Sequence, residues 1–124
     1  MKTIPILTKA GFTLVEIMIV VAIIGLLAAM AIPNFANARA NAQARACINN
    51  LTKIDAATDE FALESGKKNG DTISYPADLT PYIKLNAARS IPGCPAGGTY
   101  SVSAVGTSPV CSLGSTVSPA HVLP

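Results

Sequence analysis

The hydrophobic pattern begins with a long apolar run from Phe12 to Ile32, in which Glu16 is the one charged residue. A helix of that length, rising about 1.5 Å per residue, measures about 30 Å, which is the thickness of the hydrocarbon core of a bilayer. Lys2 and Lys9 precede the run, and basic residues favour the cytoplasmic side of a membrane. The pattern therefore predicts a membrane-spanning helix whose C-terminal end leads out of the cytoplasm.

A second helical pattern follows Pro33. Apolar residues recur there at spacings of three and four positions, which is typical of one buried helix face. This apolar stripe consists of Cys47, Leu51, Ile54, Thr58 and Phe61. Ser65 and Gly66 supply a stop signal. We therefore predict one helix over residues 12–65, whose first half lies among lipids or neighbouring subunits and whose second half is the spine of a head.

The head is predicted to add a small β-hairpin to this spine. Residues 99–105 alternate between polar and apolar, residues 106–108 turn, and residues 109–113 can return as a second strand. A hairpin alone is marginal in water, so it must bury a face on the helix or gain a third strand. The expected buried face consists of Tyr100, Val102 and Ala104. Residues 75–83 are predicted as a loop with a short helical turn, packed on the spine, which makes the fold class α+β.

Composition and charge change this picture little. The mean hydropathy of +0.44 reflects the N-terminal run. The net charge of +2 equals the contribution of Lys2 and Lys9; the remaining seven basic residues are scattered and balanced by seven acidic ones, so no nucleic-acid site is evident. The acidic residues beside the stripe are interpreted as a solvated face: Asp55, Asp59, Glu60 and Glu64. No nucleophile and base pair, phosphate loop or metal cluster stands out. We therefore predict no catalytic site, no cofactor and no metal.

The residues Ala10-Gly11-Phe12-Thr13-Leu14-Val15-Glu16, followed by the apolar run, resemble the prepilin processing motif. The families that share it are type IV pilins and type II secretion pseudopilins. The resemblance implies that a membrane peptidase cuts between Gly11 and Phe12, removes a leader of residues 1–11 and methylates the Phe12 amine. It also implies that Glu16 pairs with the Phe12 amine of an adjacent subunit during assembly.

Two features of the apolar run follow from the residues themselves. A carboxylate such as Glu16 is costly inside a membrane segment unless a cation pairs with it. The alternative is that Glu16 reaches toward headgroups, or is protonated, with no role in assembly.

Gly25 weakens the helix, and Pro33 has no amide hydrogen for the Ala29 carbonyl. We expect a continuous, kinked helix in the isolated precursor and, as the resemblance also suggests, a loosened segment between Gly25 and Pro33 in a fibre.

The chain has three cysteines. Cys94 and Cys111 flank the predicted hairpin, and we favour a disulfide between them, with Cys47 as a free, small hydrophobic residue. A bond from Cys47 to either of the others stays open as an alternative. His121, the one histidine, lies in a tail over residues 115–124 that reads as extended or loosely docked. It is interpreted as a surface residue.

The sequence thus predicts a structural subunit of a type IV pilus. Its parts are a leader (1–11), an assembly helix (12–33) and the head (34–124). Its partners are copies of itself in a helical filament, the prepilin peptidase and the pilus assembly machinery. It resides in the inner membrane as a precursor and then in an extracellular pilus or a periplasmic pseudopilus.

Three alternatives stay open. The first is a type II secretion pseudopilin, although the absence of Asp and Glu after Asp78 argues against the pseudopilins with an acidic, calcium-binding loop. The second is a membrane-anchored binding domain that never polymerises. The third is a secretory signal peptide cut after Ala29-Met30-Ala31, which would release a soluble head with Ile32 at its N-terminus.

Overall fold

The computed structural model describes residues 9–124. The first eight residues of the predicted leader, including Lys2, lie outside the described residues. The chain forms two compact units, one ending at Ala36 and the other spanning Asn37–Pro124. The second of these is called the C-terminal unit below.

The dominant element is helix α1, Leu14–Ser65, which contains Pro33. Its start lies two residues after the predicted one, and its end agrees with the prediction. Gly66 has a φ of +66°, and the Lys67 amide donates to the Ala62 carbonyl at 2.9 Å. A left-handed glycine with a hydrogen bond of this span is the Schellman way of ending a helix. Because α1 is one helix from Leu14 to Ser65, the continuous helix predicted for the isolated chain is confirmed.

The two halves of α1 differ in what surrounds their side chains. The large apolar residues between Leu14 and Phe35 are at least half exposed, and the helix is long and apolar enough to cross a membrane. In the second half, the predicted apolar stripe is buried at Cys47, Leu51, Ile54 and Thr58, and half-buried at Phe61. The periodicity of the sequence located this face correctly.

The hairpin is present but shorter than predicted. Strand β1, Tyr100–Ser101, pairs in antiparallel fashion with strand β2, Val110–Cys111, and Tyr100 lies opposite Cys111. Beyond β1 the chain changes partner, because residues 103–105 pair with residues 70–73 through a bridge between Thr72 and Ala104. This pairing supplies the third segment that a marginal hairpin requires.

The change of partner also shifts which side chains are buried. Tyr100 and Val102 are buried as predicted, but Ala104 is half-buried and Val105 is buried instead. The Thr107 amide donates to the Ala104 carbonyl at 3.2 Å, so a turn begins at Ala104 and the alternation of a strand ends there. The predicted loop over residues 75–83 holds the fully buried Leu79 and a 3-10 helix, Thr80–Tyr82. The α+β fold class is confirmed.

Candidate functional site

The N-terminal motif contains a reciprocal hydrogen-bond pair at the start of α1. The Glu16 amide donates to Thr13 Oγ1 at 3.2 Å, while Glu16 Oε2 accepts from the Thr13 amide at 2.8 Å and from Thr13 Oγ1 at 2.9 Å. This is a capping box, which satisfies amide hydrogens that a helix leaves without partners at its first turn. Glu16 thus has a defined role within its own chain.

Sequence reasoning missed this local role of Glu16. The signal was a threonine followed three positions later by a glutamate, directly before an apolar run. Gly11 and Phe12, the residues of the predicted scissile bond, precede α1 and belong to neither a helix nor a strand, and Phe12 is 85% exposed. The predicted scissile bond therefore lies in an exposed segment outside regular structure, four positions before Glu16 in the sequence.

Gly25 and Pro33 both lie inside α1. A Cβ atom added to Gly25 would meet nothing within 4 Å, so no crowding within the chain requires a glycine there. Next to Pro33, the Asn34 side-chain amide donates to the Met30 carbonyl at 3.4 Å. This bond does not reach the Ala29 carbonyl, which is the one that Pro33 leaves without an amide donor. The kink, and the loosening expected in a fibre, stay predictions.

A second cluster lies in the core of the C-terminal unit, and it corrects one expectation. All three cysteines are free in the structure, which does not show the disulfide predicted between Cys94 and Cys111. His121, predicted to lie on the surface, is 3% exposed. The tail over residues 115–124 carries it inward, and the His121 amide donates to the Gly114 carbonyl at 2.7 Å.

The four side chains of this cluster converge on one point. The sulfur atoms of Cys47, Cys94 and Cys111 and a ring nitrogen of His121 all lie within 4.8 Å of one another, and all four residues are buried. His121 Nδ1 lies 3.3 Å from Cys94 Sγ. Sequence reasoning found no metal cluster, because these residues stand ten or more positions apart in the chain. The paired Cys-x-x-Cys spacing of many metal sites is absent from the sequence.

The surroundings of Cys47 and Cys94 shift the pKa values of the two thiols in opposite directions. Burial raises the pKa of the Cys47 thiol to about 12, although a hydrogen bond from Tyr100 opposes that rise. Burial also acts to raise the pKa of Cys94, but hydrogen bonds from the Ala96 and Gly98 amides, together with His121 and Cys47, bring it down to about 7. Burial, followed by the hydrogen bond to Cys47, raises the pKa of Tyr100. Cys94 therefore sits among groups that stabilise a thiolate.

The N-terminal motif leads into an exposed apolar helix, and a small α+β unit follows it. Comparison with known families identifies this motif. The model of the prokaryotic N-terminal methylation motif matches residues 7–32. The resemblance inferred from residues 10–16 is confirmed.

Individual relatives come from pili and from a secretion system. The chain is 36% identical over 83 residues to a fimbrial protein of Neisseria meningitidis serogroup B, covering 67% of this chain and 49% of that protein. It is 47% identical over 57 residues to the type IV major pilin protein PilA of Myxococcus xanthus, covering 46% of this chain and 26% of that protein. The chain therefore spans about half or less of the length of these relatives.

A third relative is the type II secretion system core protein G of Klebsiella michiganensis. It is 28% identical over 102 residues, which cover 75% of this chain and 72% of that protein. No solved structure matches the chain significantly.

Proposed function

We propose that this chain is a major-pilin-like subunit of a type IV pilus, assembled through its N-terminal helix. The observation that carries the proposal is the exposed apolar surface between Leu14 and Phe35, most of which lies within the matched methylation motif of residues 7–32. A surface of this size needs lipid or a protein partner to cover it. A helix that first spans a membrane and then stacks with its copies satisfies that need in both places.

In this proposal a prepilin peptidase removes residues 1–11 and methylates the amine of Phe12. Residues 12–33 then hold the subunit in the inner membrane until the pilus machinery transfers it to a growing filament. The head (34–124) coats the filament. The names of the relatives, which are fimbrial, pilin and secretion-system core proteins, support a structural role and not a catalytic one.

The proposal assigns Glu16 a partner outside its own chain. Cleavage before Phe12 creates an amine four positions from the carboxylate, and the same amine is presented by every neighbouring subunit. In the dry interior of a filament, an amine and a carboxylate attract each other far more strongly than in water. The capping box supports this assignment because it holds Glu16 Oε2 in a fixed place.

The test is a mass spectrum of filaments purified from the outside of producing cells. We expect a chain that begins at Phe12 and carries one methyl group on its amine. A chain that begins at Ile32 would instead establish a signal peptide. A Gly11→Val variant, which removes the glycine of the motif, should accumulate uncut in the membrane, whereas Gly93→Ala should be processed normally.

The second candidate is a type II secretion pseudopilin. The match to core protein G favours it, because that match extends over a larger share of both chains than the pilin matches do. Deleting the gene distinguishes the two. Loss of surface filaments seen by electron microscopy supports the pilus, and loss of protein secretion with no change in filaments supports the pseudopilin. If neither changes and the protein stays in the membrane, it is a membrane-anchored, non-polymerising domain.

A further inference from the structure

We propose that the C-terminal unit binds one Zn²⁺ ion through Cys47, Cys94, Cys111 and His121. Three thiolates and one imidazole are a common ligand set of structural zinc sites. The inference concerns the core of the C-terminal unit and does not depend on filament assembly.

The four residues come from four separate parts of the fold. Cys47 lies on α1, Cys94 in the turn before β1, Cys111 on β2, and His121 in the C-terminal tail. Elements so distant in sequence meet at one point only when the tertiary fold brings them there. Each residue is at most 7% exposed, so the cluster is closed to bulk water.

The distances fit a tetrahedral ion after a small contraction. With Zn–S near 2.3 Å and Zn–N near 2.0–2.1 Å, neighbouring ligand atoms in a tetrahedron stand about 3.5–3.8 Å apart. The separation between Cys94 Sγ and His121 Nδ1 is 3.3 Å, and no pair within the cluster exceeds 4.8 Å. Closing the widest pair onto an ion requires a movement of about 1 Å.

Polar groups surround the sulfur atoms. The Ala96 and Gly98 amides influence the charge of Cys94, and the Tyr100 hydroxyl influences that of Cys47. The Tyr100 hydroxyl in turn accepts from Asn50 Nδ2 at 3.2 Å. Outer partners of this kind orient metal ligands and stabilise their charge.

The backbone at Gly98 also approaches the cluster closely. A Cβ atom at this position would lie 2.6 Å from Cys111 Sγ and 3.0 Å from Leu113 Cγ. Only glycine at this position leaves Cys111 Sγ where it stands. The local sequence therefore suits a site in which this sulfur atom must be fixed.

A metal ion accounts for the whole cluster, whereas a disulfide does not. One disulfide would use two of the three thiols and leave the third sulfur and the imidazole buried beside it without a common partner. Soft sulfur ligands with one imidazole favour Zn²⁺ over the oxygen-seeking Mg²⁺ and Ca²⁺. Four protein ligands fill a tetrahedral ion completely, so the site is structural and has no position for a substrate.

The first experiment uses the full chain, purified in detergent micelles under reducing conditions and stripped of metal. Titration with Co²⁺ should produce the visible bands and the thiolate-to-metal charge-transfer band of a tetrahedral cobalt–thiolate centre. The bands should saturate at one Co²⁺ per chain and disappear when Zn²⁺ is added. A titration without charge-transfer bands would overturn the proposal, whatever the variants do.

The second experiment uses variants. Cys94→Ser and Cys111→Ser should weaken zinc binding more than about 100-fold, since even the loss of an outer partner costs about 10–100-fold. His121→Ala should also lose the site, whereas His121→Cys should keep it with a shifted cobalt spectrum. The control is Ala57→Ser, at a buried position on α1 ten residues beyond Cys47, which should bind zinc normally. Undiminished binding by Cys94→Ser would refute the assignment.

A third measurement uses protein taken from cells without reducing agent. We expect elemental analysis to find about one zinc per chain and alkylation after denaturation with a chelator to label all three thiols. A disulfide between any two of the three cysteines in most chains would overturn the proposal.

Discussion

In the proposed filament, Glu16 serves both folding and assembly. Its Oε2 atom accepts from the amide and the hydroxyl of Thr13, and these contacts fix the first turn of α1. The proposed partner in a filament is a cation, the Phe12 amine of a neighbouring subunit. One carboxylate oxygen pair can accept about four hydrogen bonds, so the cap and the amine do not compete for the same lone pairs.

Substitutions at Glu16 can separate these two roles. Glutamine still completes a capping box but carries no charge. We expect Glu16→Ala and Glu16→Gln alike to be inserted and processed but to reduce filament yield by about tenfold or more, because a buried cation without its partner is strongly destabilising. The yield is measured from sheared filaments by immunoblot.

Glu60→Ala is the control for this test, since Glu60 is an exposed carboxylate on the same helix. It should assemble normally. If Glu16→Gln assembles like the unchanged protein while Glu16→Ala does not, the cap and not the charge explains the requirement for Glu16.

Gly98 offers a second test at the scale of one residue. Gly98→Ala should lower the free energy of unfolding by about 1–3 kcal/mol, because its Cβ would overlap Cys111 Sγ in a packed core. Gly93→Ala, where a Cβ meets nothing within 4 Å, should change it by less than about 0.5 kcal/mol. Thermal unfolding followed by tyrosine fluorescence measures the difference, because all three tyrosines lie in the C-terminal unit. Equal melting temperatures of the Gly98→Ala and Gly93→Ala variants would show that the core around Cys111 adjusts to the added methyl group without cost.

At the scale of elements, what could be predicted from the sequence depended on how local each signal was. The end of α1 was predictable from Ser65 and Gly66 because a left-handed glycine is a local requirement. The pairing of residues 70–73 with residues 103–105 was not predictable, because residues 67–71 are Lys-Lys-Asn-Gly-Asp, which are polar and lack the alternation of a strand. The burial of His121 and the meeting of three cysteines were also hidden, since both depend on tertiary contacts across ten or more positions.

The weak stretch of α1 is the first element whose behaviour can be tested. We expect the segment between Gly25 and Pro33 to lose regular helix in an assembled fibre, where neighbouring subunits offer packing and polar partners to its backbone. A double change, Gly25→Ala with Pro33→Ala, restores helix propensity and should give stiffer fibres when single filaments are stretched with an optical trap. A filament map with regular helix through this segment would contradict the expectation.

Residues 70–73, which form the third segment of the sheet, are the second element whose behaviour can be tested. Ile73 is 8% exposed, and its amide donates to the Ser103 carbonyl at 3.1 Å. Ile73→Ala should destabilise the C-terminal unit by about 2 kcal/mol or more, through lost burial and the cavity left behind. Val110→Ala, at a residue on β2 that is 57% exposed, should cost less than about 1 kcal/mol. Denaturant unfolding compares the two, and equal costs would show that the segment adds no stability.

At the scale of the whole molecule, the proposed zinc ion would join the C-terminal tail to the rest of its unit. The tail contributes one ligand, His121, and the other three ligands lie on α1, the turn before β1, and β2. Removing the metal should therefore release the tail first. We expect hydrogen exchange over residues 115–124, including the His121 amide bonded to Gly114, to accelerate when a chelator is added.

His121→Ala should reproduce this acceleration without a chelator, and the exchange of α1 over residues 47–62 should change less in both cases. Identical exchange of the tail with and without zinc would show that the metal, if bound, does not hold it.

For the proposed filament, the exposed apolar side chains between Leu14 and Phe35 also limit what can drive polymerisation. A subunit that leaves a bilayer for a filament moves its apolar helix from one water-free environment to another. The free energy of removing hydrocarbon from water is therefore almost equal in the two states and cancels from their difference. Shape complementarity between helices and a few polar contacts must then decide the balance. Small changes at those contacts should shift the critical concentration for growth far more than equal changes in total hydrophobicity. The reference state for this subunit is thus the lipid phase and not the aqueous one.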